Sequence, residues 1–458
     1  MGKEFSLQPR VVPEVKTKYR RVASPLPHPE SIRILEKLRQ FEPNSMRGQP
    51  PLVWHRAEGI AVHDAYGNQW LDWSSGVLVT NCGHAAPEVR EAILREVNRP
   101  LLHNYVFPSE ERAALVEKLA GLAPLDLKKV FLLTTGSEAT ECAIKLARAH
   151  GLRSGGPKKI TIVGAERGFH GRTLGSQQAG GIPGQKNWIV NEDPGIVQVP
   201  FPDGYWTEDT RFECFLAALA AKRIRPAEVA GVLFETYQGV GPDFAPVPYI
   251  RELSEWCKAN GALLIFDEVQ AGFGRTGKFW AFEHYGVVPD LICCGKGISS
   301  SLPLSAVIGR AEVMDQFPPG SMTSTHTGNP VCCAAALANL NKIVGENLPA
   351  NAARMSELLE PGLRDLQKRH RAVIGRYSCR GLVAGVQMTQ PNRKEPDHAL
   401  AHRIIELCFY KGLLFFAPVG AWGQTVKIAP PLTINAEAIT EGLAVLSEAV
   451  EEAVRELR

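Results

Sequence analysis

Residues 130–148, VFLLTTGSEATECAIKLAR, pass from an apolar run through a polar turn into a helical pattern. Residues 130–133 are all apolar, which is typical of a short strand. The turn at residues 134–137 contains only threonine, glycine and serine, and apolar residues recur after it at helical spacing. The stretch therefore predicts a strand that leads through a tight turn directly into a helix.

The same alternation of strand and helix patterns extends over residues 110–335. Further apolar or β-branched runs of strand length occupy residues 160–163, 229–234, 263–266 and 291–294. Strands separated by helix-length segments imply an α/β fold, in which a mainly parallel sheet is covered by helices on both faces. Ligands of such sheets bind beyond the carboxyl ends of the strands. The residues that follow each strand are therefore the candidates for chemistry.

The flanking regions have different patterns. Residues 1–55 are rich in proline and charge and are expected to wrap as an arm over the rest of the chain. Two apolar runs within residues 59–73, on either side of a Tyr-Gly-Asn turn, predict a hairpin. A helical pattern covers residues 109–122, and others follow the strand-rich region, at residues 350–369, 397–411 and 436–457.

A chain of 458 residues is long enough for two or three domains. We expect an N-terminal arm with part of a small domain over residues 1–85 and a large domain over 86–340. The C-terminal helices and the shorter strands between them indicate a small α+β domain over 341–458.

Charge and cysteine content exclude several classes of protein. Lys and Arg total 51 against 48 Asp and Glu, so the net charge is only +3 and offers no field for nucleic acid or for an anionic membrane. The ten cysteines are scattered and form no C-x-x-C pattern. This spacing suits neither a zinc site nor a disulfide framework and indicates buried thiols in a reducing compartment. No metal site is predicted.

The N-terminal segment, residues 1–21, is basic and polar and lacks the apolar centre of a signal peptide. Residues 1–6 fit the loose myristoylation pattern, but no second membrane signal accompanies them, and we interpret the match as chance. No apolar run is long enough to span a bilayer. These features predict a soluble, cytoplasmic protein.

Residues 263–270, LLIFDEVQ, bring a carboxylate to the end of a predicted buried strand. Because strand side chains alternate, Asp267 and Val269 can face the same ligand. A carboxylate in this position needs a cationic partner, or its pKa rises through desolvation. For an isolated Asp-Glu pair, a helix cap or a loop salt bridge would be the better interpretation.

Residues 291–297, LICCGKG, place Lys296 between two glycines just past another apolar run. The glycines leave room for a bulky adduct beside the backbone. A lysine near low-dielectric walls has a lowered pKa and becomes a competent amine nucleophile. Taken alone, the same residue could be a solvated loop lysine.

Two further turns supply candidate contacts. The turn at residues 134–137 opens a helix whose N-terminus can hold a phosphate, although it could equally be a plain cap. In GFHGRT, residues 168–173, Phe169 suits stacking on a flat heterocycle. His170 is expected in a structural or stacking-support role.

One motif match is misleading. Residues 272–277, GFGRTG, spell the dinucleotide-binding pattern G-x-G-x-x-G. No helical pattern begins after these glycines, however, and the dinucleotide motif requires one. We therefore do not predict a dinucleotide site.

Taken together, these segments resemble the class III, or ω-amino-acid, aminotransferases, which have the fold type I architecture and use pyridoxal 5′-phosphate. The similar segments fall in family order at residues 72–84, 134–148, 168–173, 266–299, 324–337 and 427–434. Residues 277–291 and 302–315 look most like those of 4-aminobutyrate and related aminotransferases. The resemblance implies a seven-stranded, mainly parallel sheet in the large domain.

By that resemblance, Lys296 holds the cofactor as a Schiff base and then moves a proton between substrate and cofactor. Asp267 pairs with the pyridinium nitrogen, so that the ring accepts electron density. Val269 packs beneath the ring, Phe169 stacks above it and Gln270 lies near its phenolic oxygen. The other implied cofactor contacts are Gly136, Ser137, His170, Glu235 and, from a neighbouring subunit, Thr325. A homodimer or a dimer of dimers follows.

The resemblance also implies substrate contacts from Trp73, Val79 and Lys427. The family usually has an arginine in place of Lys427, and that arginine grips the substrate carboxylate through two hydrogen bonds. A lysine is a point charge and cannot reproduce this fork, so we expect weaker or different carboxylate recognition. The alternative is that Lys427 serves the same anion less tightly. ETYQG, residues 235–239, also departs from the common EPxQG form.

The predicted reaction is ping-pong transamination, in which an ω-amino acid or amine donates its amino group and a 2-oxo acid accepts it. The alternatives on the same scaffold are an amino-acid racemase or aminomutase and a lyase that acts on a phosphorylated amino alcohol. A non-catalytic binding protein is disfavoured because Lys296 and Asp267 are both present. No nucleic-acid or membrane partner is expected.

Overall fold

A computed structural model describes residues 4–457 of the chain. The chain divides into two compact units. One unit combines residues 1–86 with residues 348–458, and the other comprises residues 87–347. The N-terminal segment and the C-terminal helices therefore share a unit.

The helices within residues 4–457 are numbered in chain order. They are α1 Ile32–Phe41, α2 Ser75–Leu78, α3 Pro87–Asn98, α4 Glu110–Leu122, α5 Gly136–Gly155, α6 Leu174–Ala179, α7 Glu213–Ala221, α8 Val247–Asn260, α9 Ala311–Met314, α10 Pro330–Gly345, α11 Leu348–Arg369, α12 His398–Tyr410 and α13 Ala436–Leu457. The helices predicted from periodicity are confirmed as α4, α5, α11, α12 and α13.

The strands within residues 4–457 are also numbered in chain order. They are β1 Val15–Lys16, β2 Arg21–Val22, β3 Arg56–Glu58, β4 Ala61–His63, β5 Gln69–Asp72, β6 Lys129–Leu133, β7 Thr161–Ala165, β8 Ile196–Val199, β9 Val229–Glu235, β10 Leu263–Asp267, β11 Leu291–Cys294, β12 Ser305–Gly309, β13 Ile374–Arg380, β14 Val383–Met388, β15 Leu413–Leu414 and β16 Thr425–Ile428. The predicted hairpin is the antiparallel pair β4–β5.

The unit of residues 87–347 is built on a seven-stranded sheet with the order β6-β12-β11-β10-β9-β7-β8. Strands β8, β7, β9, β10 and β11 are mutually parallel, and β12 runs antiparallel to both of its neighbours. All residues of β9, β10 and β11 are buried, which explains why each is apolar almost throughout. The mainly parallel sheet implied by the sequence is confirmed.

Helix α5 follows β6, as residues 130–148 predicted. The small apolar residues that recur at helical spacing all lie in the core, namely Ala139, Ala143, Leu146 and Ala147. They pack with residues of the central strands such as Leu233, Ile265 and Leu291. No α-helix follows residues 272–277, since the next element is a short 3₁₀ turn at Ala281–His284. The expectation that no helix begins directly after this glycine run is confirmed.

The other unit contains two smaller sheets. One has the order β1-β2-β5-β4-β3, with β15 paired to β5, and the other is the antiparallel sheet β13-β14-β16. Part of the N-terminal arm joins the first sheet, because Arg21 of β2 pairs with Gln69 of β5. Trp70 stacks on Phe409 at 5.5 Å between ring centroids and donates its indole N–H to the carbonyl of the same residue. Together with the helices, these sheets form an α+β unit.

The short element α2 contains a left-handed turn. Ser75, Gly76, Val77 and Leu78 have φ angles of 49°, 55°, 66° and 62°. A left-handed residue other than glycine costs roughly 1–2 kcal/mol, so this turn is strained. Side chains hold it in place, since Ser74 Oγ accepts from the Gly76 N–H at 3.1 Å and Ser75 Oγ donates to the Ala429 carbonyl at 2.6 Å.

The strain predicts that Val77→Gly stabilises the protein. Glycine adopts the φ of 66° without a Cβ clash, and the Val77 side chain is 45% exposed, so little burial is lost. We expect the free energy of unfolding to rise by about 1 kcal/mol, measured by urea denaturation of the purified protein. The matched control is Val79→Gly, where φ is −95° and glycine should destabilise. A variant at residue 77 that is less stable than the wild type would contradict the prediction.

Within residues 4–457, no helix combines the length and the apolar character needed to cross a membrane. The same residues contain no group of His, Cys, Asp and Glu that could hold a metal ion. All ten cysteines lie in this part of the chain and carry free thiols.

Candidate active site

A pocket of about 280 Å³ lies within the unit of residues 87–347. Its walls come from residues at or beyond the carboxyl ends of β6, β7, β9, β10 and β11, the edge where parallel sheets bind ligands. The lining residues are Gly136, Ser137, Phe169, His170, Gly171, Arg172, Glu235, Asp267, Val269, Gln270 and Lys296. Every cofactor contact implied by the sequence lies here except Thr325.

The N-terminus of α5 forms one wall. Thr135 caps the helix, because its Oγ1 accepts from the Glu138 N–H at 3.2 Å while the Glu138 carboxylate accepts from the Thr135 N–H at 2.9 Å. The cap leaves the N–H groups of Gly136 and Ser137 without helical acceptors, as at any helix start. A Cβ on Gly136 would come within 2.8 Å of Val269 Cγ1, so the close contact between the start of α5 and Val269 requires glycine at this position.

Asp267 ends β10 and is held from two directions. Its Oδ1 accepts from the Val269 N–H at 3.0 Å, and its Oδ2 lies 2.8 Å from His170 Nδ1. Burial lowers the pKa of His170, but the hydrogen bond and the charge of Asp267 outweigh it and raise the pKa. His170 is thus the cationic partner that a buried carboxylate at this position requires. The sequence placed His170 near the site but not in this role.

Glu235 ends β9 directly beside Asp267, with which it is in register. Its carboxylate accepts the backbone N–H of Phe169 at 3.0 Å and that of Gly239 at 2.8 Å. Burial raises the pKa of Glu235 to about 7; the charge of Asp267 acts in the same direction, while His170 and the two N–H donors oppose it.

Lys296 follows β11 and enters the pocket from a left-handed backbone conformation, with φ of 42°. Burial lowers the pKa of its amine, although the negative charges of Asp267 and Glu235 oppose the shift. A lowered pKa increases the fraction of neutral amine, which is the nucleophilic form. The pocket therefore contains an activated amine near two carboxylates.

Arg172 lines the pocket and was not singled out from the sequence, although it belongs to the GFHGRT motif. Its side chain is exposed, and its guanidinium carbon lies 5.5 Å from the centre of the Phe169 ring. No carboxylate among residues 4–457 forms an ion pair with it. Its backbone N–H donates to Ser137 Oγ at 3.1 Å, and Gly171, with φ of 136°, allows that close approach.

Gln270 packs against the turn that follows β9. A Cβ on Gly239 would come within 2.3 Å of Gln270 Nε2, and the Tyr237 hydroxyl donates to the Gln270 carbonyl at 3.3 Å. Tyr237 is buried and does not line the pocket. Tyr237 therefore lies behind the pocket wall and supports Gln270. Thr236, which stands in place of the proline of EPxQG, is also buried and does not line the pocket.

The remaining predicted residues lie elsewhere. Trp73 is fully buried in the other unit and packs against Gly442, where a Cβ would come within 2.2 Å of the indole. Lys427 is also buried, in β16, and Val79 is partly buried after α2. Thr325 is exposed in the chain before α10. The substrate contacts of the first three and the intersubunit contact of Thr325 stay predictions.

The chain is similar to known aminotransferases over most of its length. The family model described as "Aminotransferase class-III" matches residues 44–450. The 4-aminobutyrate aminotransferase of Mycobacterium leprae is 33% identical over 443 residues, which cover 93% of this chain and 97% of that protein. The acetylornithine aminotransferase of Methanopyrus kandleri is 35% identical over 401 residues, covering 87% and 94%.

Solved structures show the same relationship. A Bacillus anthracis aminotransferase has a TM-score of 0.83 at 30% identity and covers 92% of this chain and 99% of its own. A PLP-bound amine transaminase from an uncultivated Pseudomonas species has a TM-score of 0.80 at 28% identity, with 89% and 95% covered. The fold, cofactor and reaction class implied by the sequence are confirmed. The chain belongs to the class III aminotransferase family and is a pyridoxal-phosphate-dependent transaminase.

Proposed function

We propose that this enzyme takes the amino group of an ω-amino acid and passes it to a 2-oxo acid by a ping-pong mechanism. The observation that carries the proposal is that one pocket is lined by Lys296, whose amine has a lowered pKa, and by Arg172, whose guanidinium has no carboxylate partner within residues 4–457. Such a pair suits a substrate that carries a reacting amine and a separate carboxylate. Relatives named 4-aminobutyrate and 5-aminovalerate aminotransferases support the same substrate class.

The donors of the pocket fit pyridoxal 5′-phosphate. The first N–H groups of α5 suit its phosphate, and Gly136 lets Val269, the residue expected beneath its ring, pack directly against the start of this helix. The Asp267 carboxylate suits a protonated ring nitrogen, and Lys296 offers the amine for covalent attachment. When bound, the cofactor supplies an electron-accepting ring that stabilises negative charge developing on the substrate carbon.

Asp267 holds a proton at the ring nitrogen. Its negative charge favours the protonated nitrogen, and its two hydrogen bonds, from Val269 and with His170, fix the direction in which the carboxylate points. His170 is buried, and its Nε2 has no hydrogen-bond partner among residues 4–457. Its role is therefore to orient Asp267 and to balance its charge.

Lys296 would first hold the cofactor and would then take up the proton that the amine-bearing carbon of the donor loses and pass it on to the cofactor. Because its pKa is lowered by burial, a larger fraction of its amine is neutral and able to take up a proton, and the protonated form releases the proton more readily than a solvated lysine does. Its position in the same pocket as Asp267 supports this role.

Arg172 binds the substrate carboxylate that lies away from the reacting amine. A guanidinium presents a planar fork that matches a carboxylate, and stacking on Phe169 restricts its orientation. For Lys427 we propose that it binds an oxo-acid carboxylate less specifically than an arginine would, because its ammonium is a point charge without a fork.

Arg172→Ala is expected to raise KM for 4-aminobutyrate about 10- to 100-fold, because a charge-assisted pair of hydrogen bonds is lost. For an amine without a carboxylate, such as a simple alkylamine, KM should change little. Steady-state kinetics with both donors measure the difference, and Arg172→Lys, which keeps the charge but not the fork, should be intermediate for the carboxylate donor. An equal rise in KM for both donors would show that Arg172 does not bind the carboxylate.

The reaction itself is tested by mixing the holoenzyme with donor alone and following the cofactor absorbance. Near-stoichiometric conversion to the pyridoxamine form, with release of an oxo product, is expected for an ω-amino acid. No conversion across a broad panel of amines and amino acids would disprove transamination. Loss of optical rotation without an oxo acid would instead indicate a racemase, and phosphate release would indicate a lyase.

The enzyme acts as a homodimer or a dimer of dimers in the cytoplasm. The exposed position of Thr325 supports a contact with a second subunit, and the ten free thiols support a reducing compartment. Sedimentation of the wild type and of Thr325→Ala, together with the cofactor dissociation constant of each, tests the intersubunit contact.

A further inference from the structure

We infer that Glu235 is a positioning residue that holds two walls of the cofactor pocket at a fixed separation. The inference rests on the proposed function, because it assigns the pocket to the cofactor. Beyond that function, it gives the Glu235 carboxylate the role of fixing the positions of two chain segments. Glu235 ties together two chain segments that are distant in sequence and that carry or support pocket residues.

The first segment is the one that follows β7. Its tie is the hydrogen bond from the Phe169 N–H to Glu235 Oε2, at 3.0 Å. Phe169 lines the pocket, and the next residue, His170, holds Asp267. A shift of this segment would therefore move both the ring of Phe169 and the carboxylate of Asp267.

The second segment is the turn after β9. Its tie is the hydrogen bond from the Gly239 N–H to Glu235 Oε1, at 2.8 Å. Gln270 packs directly on Gly239, and Tyr237 of the same turn donates to the Gln270 backbone. The second hydrogen bond thereby fixes the position of the turn against which Gln270 packs.

A carboxylate is needed for this double tie. Each of its oxygens accepts one N–H, whereas a glutamine of the same size has one acceptor oxygen and would turn its NH₂ group toward the other N–H. Burial makes the charge costly, and the positive charge of His170 and the two backbone donors compensate for it. A residue that only filled space here would not require an ionisable group.

Glu268, the residue that follows the neighbouring strand β10, provides a matched control. It is also fully buried, burial also raises its pKa to about 7, and it also accepts two backbone N–H groups, from Ala281 and Phe282, at 2.9 Å each. It does not line the pocket. Glu268→Gln therefore reports the general effect of losing a buried carboxylate of this kind.

The test is hydrogen–deuterium exchange of the holoenzymes, read by mass spectrometry. In Glu235→Gln, peptides that contain residues 168–170 and 238–240 should exchange about tenfold faster or more, because one charge-assisted bond is lost and the other weakened. In Glu268→Gln, acceleration should be confined to peptides around residues 281–282. Glu235→Asp, whose shorter side chain cannot reach both donors, serves as a second variant if the glutamine protein does not fold.

The effect of Glu235 on cofactor binding is measured separately. Glu235→Gln should weaken cofactor binding about tenfold and change the visible circular dichroism of the bound cofactor, while borohydride still attaches the cofactor to Lys296. Unchanged exchange in both segments would overturn the inference, and so would faster exchange with wild-type affinity and dichroism. If Glu235→Gln shows the expected faster exchange and weaker cofactor binding but no ω-amino acid reacts with the wild type, the proposed substrate class is wrong. The role of Glu235 in positioning the pocket walls would still hold.

Discussion

Replacing Lys296 with alanine is expected to lower kcat/KM for transamination by about 10⁴-fold. The substitution removes the amine that binds the cofactor and also the group that carries the substrate proton, and each role contributes strongly to such rates. Steady-state kinetics measure the loss. Borohydride reduction followed by peptide mapping should find the cofactor on residue 296 of the wild type and on no residue of the variant.

The matched control for this experiment is Lys159→Ala. Burial also lowers the pKa of Lys159, but its Nζ donates to the Asn260 carbonyl at 2.6 Å and it does not line the pocket. We expect lower stability of that variant with the borohydride tag still on residue 296. Residual activity of Lys296→Ala near the wild-type level, or a tag on another lysine of the wild type, would disprove the assignment.

Replacing Asp267 with asparagine is expected to lower kcat by about 10²- to 10³-fold, the usual range for losing one preorganised electrostatic group. Asparagine keeps the shape of the side chain but has no negative charge to hold the proton at the ring nitrogen. Single-turnover kinetics with donor alone measure the chemical step. The absorbance of the bound cofactor should also change with pH in the variant, over a pH range in which the absorbance of the wild-type enzyme stays constant.

His170→Asn separates the charge of Asp267 from its orientation. That variant keeps the Asp267 carboxylate but loses the partner that lies 2.8 Å from Oδ2, so its rate should fall by about tenfold only. A larger loss in His170→Asn than in Asp267→Asn would show that the histidine itself takes part in proton transfer, contrary to its proposed role in orienting the carboxylate.

Much of the active site could be predicted from local sequence. Asp267 and Lys296 each follow an apolar run of strand length, and the structure places both runs as neighbouring parallel strands with their carboxyl ends together. The helix start at Gly136 could be predicted for the same reason, because burial on both faces and helical periodicity are properties of consecutive residues. Strand β12 could not be anticipated so directly, since nothing in its five residues specifies an antiparallel position between β6 and β11.

By itself, therefore, the sequence determined the class of fold and, through the resemblance to a known family, the cofactor, and it singled out one amine and one acid at the ends of buried strands, since each depends on short patterns. Only the tertiary structure decided which distant residues meet. His170 pairs with Asp267 from 97 residues away, and Glu235 joins Phe169 to Gly239 because β9 lies between β7 and β10. Arg172 stands out only once its lack of a carboxylate partner within residues 4–457 is visible. Strand order is set by packing across the whole sheet, and no local pattern of residues encodes it.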